Sequence, residues 1–309
     1  MTKFSVYSRG AAPAGNASSA FDRVVAQLRA SREETHNIRP GGRIRKVPSR
    51  AVLGTIMEQL LMALFPVHYG ALDLNEDGID KYVSGILGHA KRALVQQVRS
   101  DFALNADDSE SNDELTVRAE LIVEAFAAEL PAIRSVLVSD LLAAYAGDPA
   151  ATTYPEILLG YPGMIALVYH RMAHTLFRLG AALCARLVSS IAHSKTAIDI
   201  HPGAEIGPQF FIDHGTGVVI GETAVIGSRV RLYQAVTLGA LNFPTDDEGV
   251  VIKGAPRHPI VEDDVVIYAG ATVLGRITIG RGSVIGGNVW LTQSVPPGSH
   301  ISQARPLKD

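Results

Sequence analysis

Cysteine and tryptophan are almost missing from this 309-residue chain, each occurring once, as Cys184 and Trp290. With a single thiol no internal disulfide can form, and the chain suits a reducing compartment. Long apolar runs are missing too. Stretches such as LLMALFP at 60–66 fall far short of the about 20 residues that cross a bilayer. The first residues, MTKFSVYSRGAAPAGNASSA, lack the apolar centre of a secretory signal. Neither charge sign dominates, since the formal net charge is −3, so no field attracts nucleic acid or an anionic membrane. Arg39, Arg43, Arg45, Lys46 and Arg50 form a local basic run, but without interleaved aromatics it reads as a solvated face. A soluble, cytoplasmic protein with no nucleic-acid or membrane partner is expected.

What the chain does have is two kinds of periodicity. Residues 1–17, rich in Gly, Ala and Ser, are expected to be disordered. From 18 to 194 apolar residues recur at three- and four-residue spacing, as in Phe21, Val24, Val25 and Leu28 behind Ser18 or Ser19 as a cap. Helical patterns follow over 50–65, 79–103, 113–145 and 161–192, separated by Pro66, NEDG, DDSESND and GDPAATTYP. From 195 to 309 the period becomes six. Ile200, Ile206, Ile212 and Val218 keep it; so do Ile220, Ile226, Leu232 and Leu238, and, after a break, the series from Val261 to Leu291. A strand alternates every two residues and a helix every 3.6, so neither gives six. Hexapeptide repetition marks a parallel β-helix whose aliphatic residues stack inward, three sides making an eighteen-residue coil. Glycines at 207, 221, 227, 280 and 286 are expected to take turn conformations closed to other residues. The fold class is therefore α + β, an N-terminal all-α domain followed by a parallel β-helix. The helical half would cap the first coil, and the PPG turn with the tail from 296 would close the last. The period fails over 239–260, where Pro244 and the acidic residues 246–248 mark a loop leaving the coil.

The first repeats, IDIHPGAEIGPQFFIDHGTG, hold Asp199, His201, Asp213 and His214. Asp199 and His214 stand fifteen residues apart, three short of a coil, which brings them near one corner on neighbouring coils. A carboxylate beside an imidazole suits a general base, and it equally suits a satisfied polar turn. A zinc site on His201, His214 and His258 needs two ligands on one turn and one on the next, and that spacing is not met. DLNEDGID at 73–80 opens like a calcium loop through Asp73, Asn75, Asp77 and Gly78. Its twelfth position is Ser84, however, where a bidentate glutamate belongs. His170 and His174 share a helix face without a catalytic acid between them and read as core or capping residues.

DIHPGAEIGPQFFIDHGTGVVIGETAVIG, then a loop ending in RHP, then VIYAGATVLGRITIGRGSVIGGNVW, resembles the serine O-acetyltransferase family. The likeness covers 195–298, extends to GDPAATTYPEILLGYPGMIALVYHRMAH at 147–174, and for 1–146 consists only in being helical. It implies a left-handed β-helix and acetyl transfer from acetyl-CoA to the L-serine hydroxyl, without an acyl-enzyme and without a metal, on the route to cysteine. On that resemblance His214 is the general base and Asp199 its carboxylate partner. Asp148 and Asp213 bind the substrate ammonium, and Arg257 and His258 its carboxylate. Acetyl-CoA lies along Gly239, Ala240, Ala269 and Gly270. Cys184 matches no nucleophile.

Three departures accompany the match. Ala240 replaces the second glycine of the frequent TLGG. The loop before RHP is long, with Ala255-Pro256 ahead of Arg257. Both bear on the acyl acceptor, for which homoserine is the alternative to serine; a β-helical metalloenzyme is the alternative chemistry. The chain also ends at ARPLKD rather than in the tail that docks on O-acetylserine sulfhydrylase, so that complex is not expected. A homotrimer is expected, with dimers of trimers open.

Overall fold

The computed structural model describes residues 19–34, 46–70, 76–106, 109–243 and 245–303. Residues 1–17, the basic Arg39, Arg43 and Arg45, the calcium-like Asp73 and Asn75, and the tail from 304 lie outside the described residues. The chain divides into two compact units, Met1–Arg45 and Lys46–Asp309. The first contributes helix α1, Ala20–Glu34. Ser19 caps it, its hydroxyl accepting from Asp22 N–H at 3.1 Å while its own N–H donates to the Asp22 carboxylate at 2.8 Å.

In the second unit helices α2 (Arg50–Leu64), α3 (Pro66–Tyr69), α4 (Glu76–Asn105) and α5 (Asn112–Gly147) come first. They are followed by α6 (Tyr154–Gly160), α7 (Pro162–Arg178) and α8 (Ala182–Thr196). The single pattern at 161–192 is thus two helices, because Gly180 at φ +92° turns the chain between them. A capping box starts α5, with Ser111 and Glu114 each satisfying the other's backbone N–H.

Strands β1 (Asp199–Ile200) to β14 (His300–Ile301) then wind a left-handed parallel β-helix with three sides. Side 1 stacks β1, β4 (Val219–Ile220), β7 (Thr237–Gly239), β10 (Thr272–Leu274) and β13 (Trp290–Leu291). Side 2 stacks β2 (Glu205–Ile206), β5 (Val225–Ile226), β8 (Ile260–Val261) and β11 (Thr278–Ile279). Side 3 stacks β3 (Phe211–Ile212), β6 (Arg231–Leu232), β9 (Val266–Ile267), β12 (Val284–Ile285) and β14. The inward residues Ile200, Ile220, Leu238 and Val273 are buried, as the six-residue period requires.

Two details differ from the sequence expectation. Asp199 pairs with Val219 but Val219 with Thr237, so the first coil takes twenty residues and the second eighteen. The two extra residues lie in DHGTG, and they are the phase break between the Ile212 and Ile220 series. Second, glycines 207, 221, 227, 280 and 286 are absent from the positive-φ residues, which at the coil corners are Gly217, Gly270, Gly282 and Gly298 together with Ala197, Gln209, Arg229, Ala235, Asp264 and Asn288. The five glycines serve close stacking: a Cβ at Gly207 would stand 2.6 Å from the Gly227 carbonyl carbon.

The helices close the first coil. At Gly163 in α7 a Cβ would lie 2.2 Å from the Ile212 carbonyl oxygen, so only glycine lets the helix approach the strand. Asp140 of α5 and Arg171 of α7 form a buried ion pair at 3.1 Å. Arg171 also donates to the carbonyls of Ile206 and, at 2.7 Å, Gly207, while Asp140 accepts from Phe210 N–H at 2.9 Å. Among the described residues no helix is long and apolar enough to cross a membrane.

Candidate active site

The expected site residues Asp148, Asp213 and His214 lie together at the corner where side 3 turns into side 1. Asp148 ends α5, its Oδ1 accepting from Ala150 N–H at 2.8 Å and its Oδ2 from the Tyr161 hydroxyl at 2.6 Å. These two donors hold the Asp148 carboxyl below the usual range, and the Tyr161 hydroxyl is pushed up to about 12 by the carboxylate it serves. Asp213 follows β3. Its Oδ2 accepts from Arg231 Nη2 at 2.6 Å, and its Oδ1 lies 3.8 Å from His214 Nε2. The His214 side chain is 72% exposed, and Asp148 feels the charges of both Arg231 and His214.

His214 sits at φ +57°, followed by Gly215 at +83° and Gly217 at +79°. Gly217 N–H bonds Ala197 O and Ala235 N–H bonds Thr216 O, so Ala197, Gly217 and Ala235 are the stacked corner positions of successive coils. His214 stands outside that column, in the two-residue bulge. Its left-handed backbone is shared with the ordinary corner residues Ala197 and Ala235, so what sets His214 apart is its place in the bulge. Asp199 opens β1 at the same corner, its N–H donating to Val218 O at 2.9 Å. Among the described residues no ion pair joins it to His214, which pairs instead with Asp213.

Arg257 and His258 lie elsewhere, at the corner between sides 1 and 2. Thr223 organises them. Its hydroxyl accepts from the backbone N–H groups of Arg257 and His258 at 2.9 and 3.1 Å, and its own N–H donates to His258 Nδ1 at 3.1 Å. The Thr223 bond assigns Nδ1 as acceptor and leaves Nε2 as the N–H. Burial, then the Arg257 charge, pushes the His258 imidazole down to about 4. At neutral pH it is therefore an uncharged donor. The Arg257 guanidinium already meets Glu222 Oε2 at 2.6 Å. Arg276 fixes the backbone beneath, donating to Thr223 O at 2.6 Å and His258 O at 3.0 Å.

The positions expected along acetyl-CoA split the same way. Ala269 and Gly270 stack under the His214 corner, Gly270 N–H bonding Gln234 O at 3.0 Å. Gly239 ends β7 and Ala240 begins the excursion at the Arg257 corner. Within one chain, side 1 separates the two groups. Tyr161, Arg231, Tyr233, Glu222, Thr223 and Arg276 were not singled out from the sequence. Glu222 and Thr223 stood in GETA inside the motif itself, whereas Arg231, which stacks on Phe211 one twenty-residue coil earlier, carried no signal.

The histidines do not converge. His201 and His258 share one corner while His214 occupies another, and among the described residues no group of three or more His, Cys, Asp or Glu is placed to hold a metal ion. His201 Nδ1 accepts from Gly203 N–H at 2.9 Å, with burial lowering it to about 4. His170 is fully enclosed and His174 Nδ1 bonds Pro202 O at 2.8 Å, which gives both structural roles. Cys184 is buried, burial pushing its thiol well up, and its N–H donates to Asp101.

Residues 258–293 match the model of the bacterial transferase hexapeptide, six repeats. A plasmid serine acetyltransferase of Synechococcus elongatus is 53% identical over 267 residues, 85% of this chain and 84% of that protein. The serine acetyltransferase of Mycobacterium tuberculosis is 48% identical over 162 residues, 52% of this chain and 67% of that one. Among solved structures, Entamoeba histolytica serine acetyltransferase isoform 3 in complex with cysteine superposes with TM-score 0.70 at 35% identity, covering 86% of this chain and 85% of that one. Soybean serine acetyltransferase complexed with serine gives TM-score 0.53 at 34% identity, covering 82% and 98%.

Proposed function

This chain belongs to the serine acetyltransferase family, and we propose that it transfers acetyl from acetyl-CoA to the hydroxyl of L-serine, giving the O-acetylserine used for cysteine. The observation that carries the reading is the Asp148–Asp213–His214 corner, two oriented carboxylates beside an exposed imidazole. The carboxylates suit an α-ammonium. His214, in the role of general base, accepts the serine hydroxyl proton as the oxygen attacks the thioester carbonyl carbon. The tetrahedral intermediate expels the thiolate, which takes up that proton, so acetyl passes directly between substrates. Asp199, at the head of side 1, is the carboxylate that orients the base once substrates are bound.

Arg257 and neutral His258 supply the substrate carboxylate with donors, the guanidinium sharing itself between Glu222 and the substrate. Because they stand across side 1 from His214, a complete site takes one corner from each of two neighbouring subunits. A cyclic homotrimer provides three such seams. Acetyl-CoA then runs in the seam, between Ala269 and Gly270 of one subunit and Gly239 and Ala240 of the next. No metal takes part, and the protein is cytoplasmic.

The test is thiol release from acetyl-CoA against a panel of hydroxy amino acids. Serine is expected to outpace homoserine and threonine in kcat/KM. Equal or better use of homoserine would move the acceptor, and no thiol release with any of them would end the acetyltransferase reading.

A further inference from the structure

Asp213 divides its two carboxylate oxygens between two partners. Oδ2 is held by Arg231 Nη2 at 2.6 Å, while Oδ1 faces His214 Nε2 at 3.8 Å. The guanidinium is itself clamped, over the Phe211 ring at 4.9 Å and the Tyr233 ring at 4.7 Å. Tyr233 in turn stacks on Tyr268 of the next coil, centroids 4.9 Å apart and 11° from parallel. Arg231 Nε is buried without a hydrogen-bond partner, so the clamp is made of rings and one carboxylate, not a hydrogen-bond lattice. The Asp213 and Arg231 side chains are 11% and 24% exposed, where charge acts with little solvent screening.

We propose that Arg231 is a positioning residue of the acetyl-transfer site, which neutralises Asp213 from the side away from the reaction so that His214 stays free to accept a proton. The inference rests on the reading of His214 as the base. The charged and titratable groups around His214 are Asp213 beside it, Asp148 at the end of α5, Tyr161 at the start of α7, Asp199 at the head of β1, Arg231 on β6 and Tyr233 after it. Of these, the carboxylates favour a protonated imidazole, and Arg231 is the one cation opposing them. Without it the Asp213 carboxylate, unneutralised, would join Asp148 in favouring the imidazolium, which cannot act as a base. With it, Asp148 and Asp213 together offer the substrate about one net negative charge, matched to one ammonium.

The experiment is the pH dependence of kcat/KM for serine in wild type, Arg231→Gln and Arg231→Lys, with imidazole titration by NMR in parallel. In Arg231→Gln the acid limb should move to higher pH. A displacement of one pH unit means about tenfold lower kcat/KM on the acid side and little change on the alkaline plateau. Arg231→Lys, keeping the charge, should return the limb to within a fraction of that. Tyr233→Leu, which removes one clamp without touching Asp213, should displace it the same way but less, and carries the test if Arg231→Gln does not fold. A folded Arg231→Gln protein with an unmoved limb would overturn the proposal, as would equal displacement in Arg231→Lys, since shape alone would then explain it. Wild type with no acetyl transfer to serine would instead remove the functional reading, leaving the imidazole titration to judge the charge relation.

Discussion

At Gly221 a Cβ would stand 2.0 Å from His258 Cδ2 and 2.1 Å from Nε2, so the imidazole rests directly on the glycine backbone. Gly221→Ala therefore displaces the ring and its N–H. A hydrogen bond to a charged group is worth about 1.5–3 kcal/mol, which translates to a serine KM about 10- to 100-fold higher, with kcat changing less. Steady-state kinetics check this, and unaltered serine saturation would remove His258 from the carboxylate site. His214→Ala should behave oppositely, cutting turnover by about 10²–10⁴ with substrate binding and fold retained. The side chain is 72% exposed and meets Asp213 only at 3.8 Å, so circular dichroism should match wild type while the rate collapses.

Among the elements, α5 and α7 are tied to the first coil by Asp140 and Arg171, a pair with side chains 0% and 10% exposed. Asp140→Ala would leave the guanidinium buried beside two carbonyls and orphan the Phe210 N–H. Breaking such a pair costs about 3–5 kcal/mol, and chemical denaturation should show a loss of that order. Asp140→Asn, still able to accept from Phe210, should lose less. Equal stability of Asp140→Ala and wild type would refute the joint. This tie was invisible in the sequence because it joins residues 31 apart on two helices to backbone groups of a third element. The coils were legible since every stacked position repeats in the chain, and Ile200, Ile220 and Leu238 needed only their spacing to be read. The role of the repeat glycines was misread: spacing shows where glycine recurs but not whether φ or crowding demands it. Asp213 was legible through the motif, whereas Arg231 and Tyr161 were not, since their meaning lies in which oxygen they touch.

Over the whole molecule, acid and subunit mixing test different layers of the same construction. His201 and His258 are lowered to about 4 by burial, and His170 and His174 are lowered too. A histidine whose folded value is depressed stays neutral in the fold while the unfolded chain takes up a proton from about pH 6.5 downward. Stability is thus full above that value and falls as pH drops from about 6.5 toward 4, so Tm should be lower at pH 5 than at pH 7.5. A Tm that rises over that interval would contradict the buried, neutral state of these rings. The division of the site between two corners makes the sharper demand. In the proposed homotrimer His214→Ala would spoil one corner of every seam and Arg257→Ala the other. In an equal, random mixture a seam is intact only when an Arg257→Ala subunit offers its His214 corner to the Arg257 corner of a His214→Ala neighbour. Two independent choices of one half give about a quarter of seams intact, so co-refolded subunits should recover about a quarter of wild-type activity. Mixing without refolding, which leaves the parent trimers unexchanged, should recover none. A co-refolded trimer no more active than its parents would mean that both corners act within one chain, against the placement of side 1 between them.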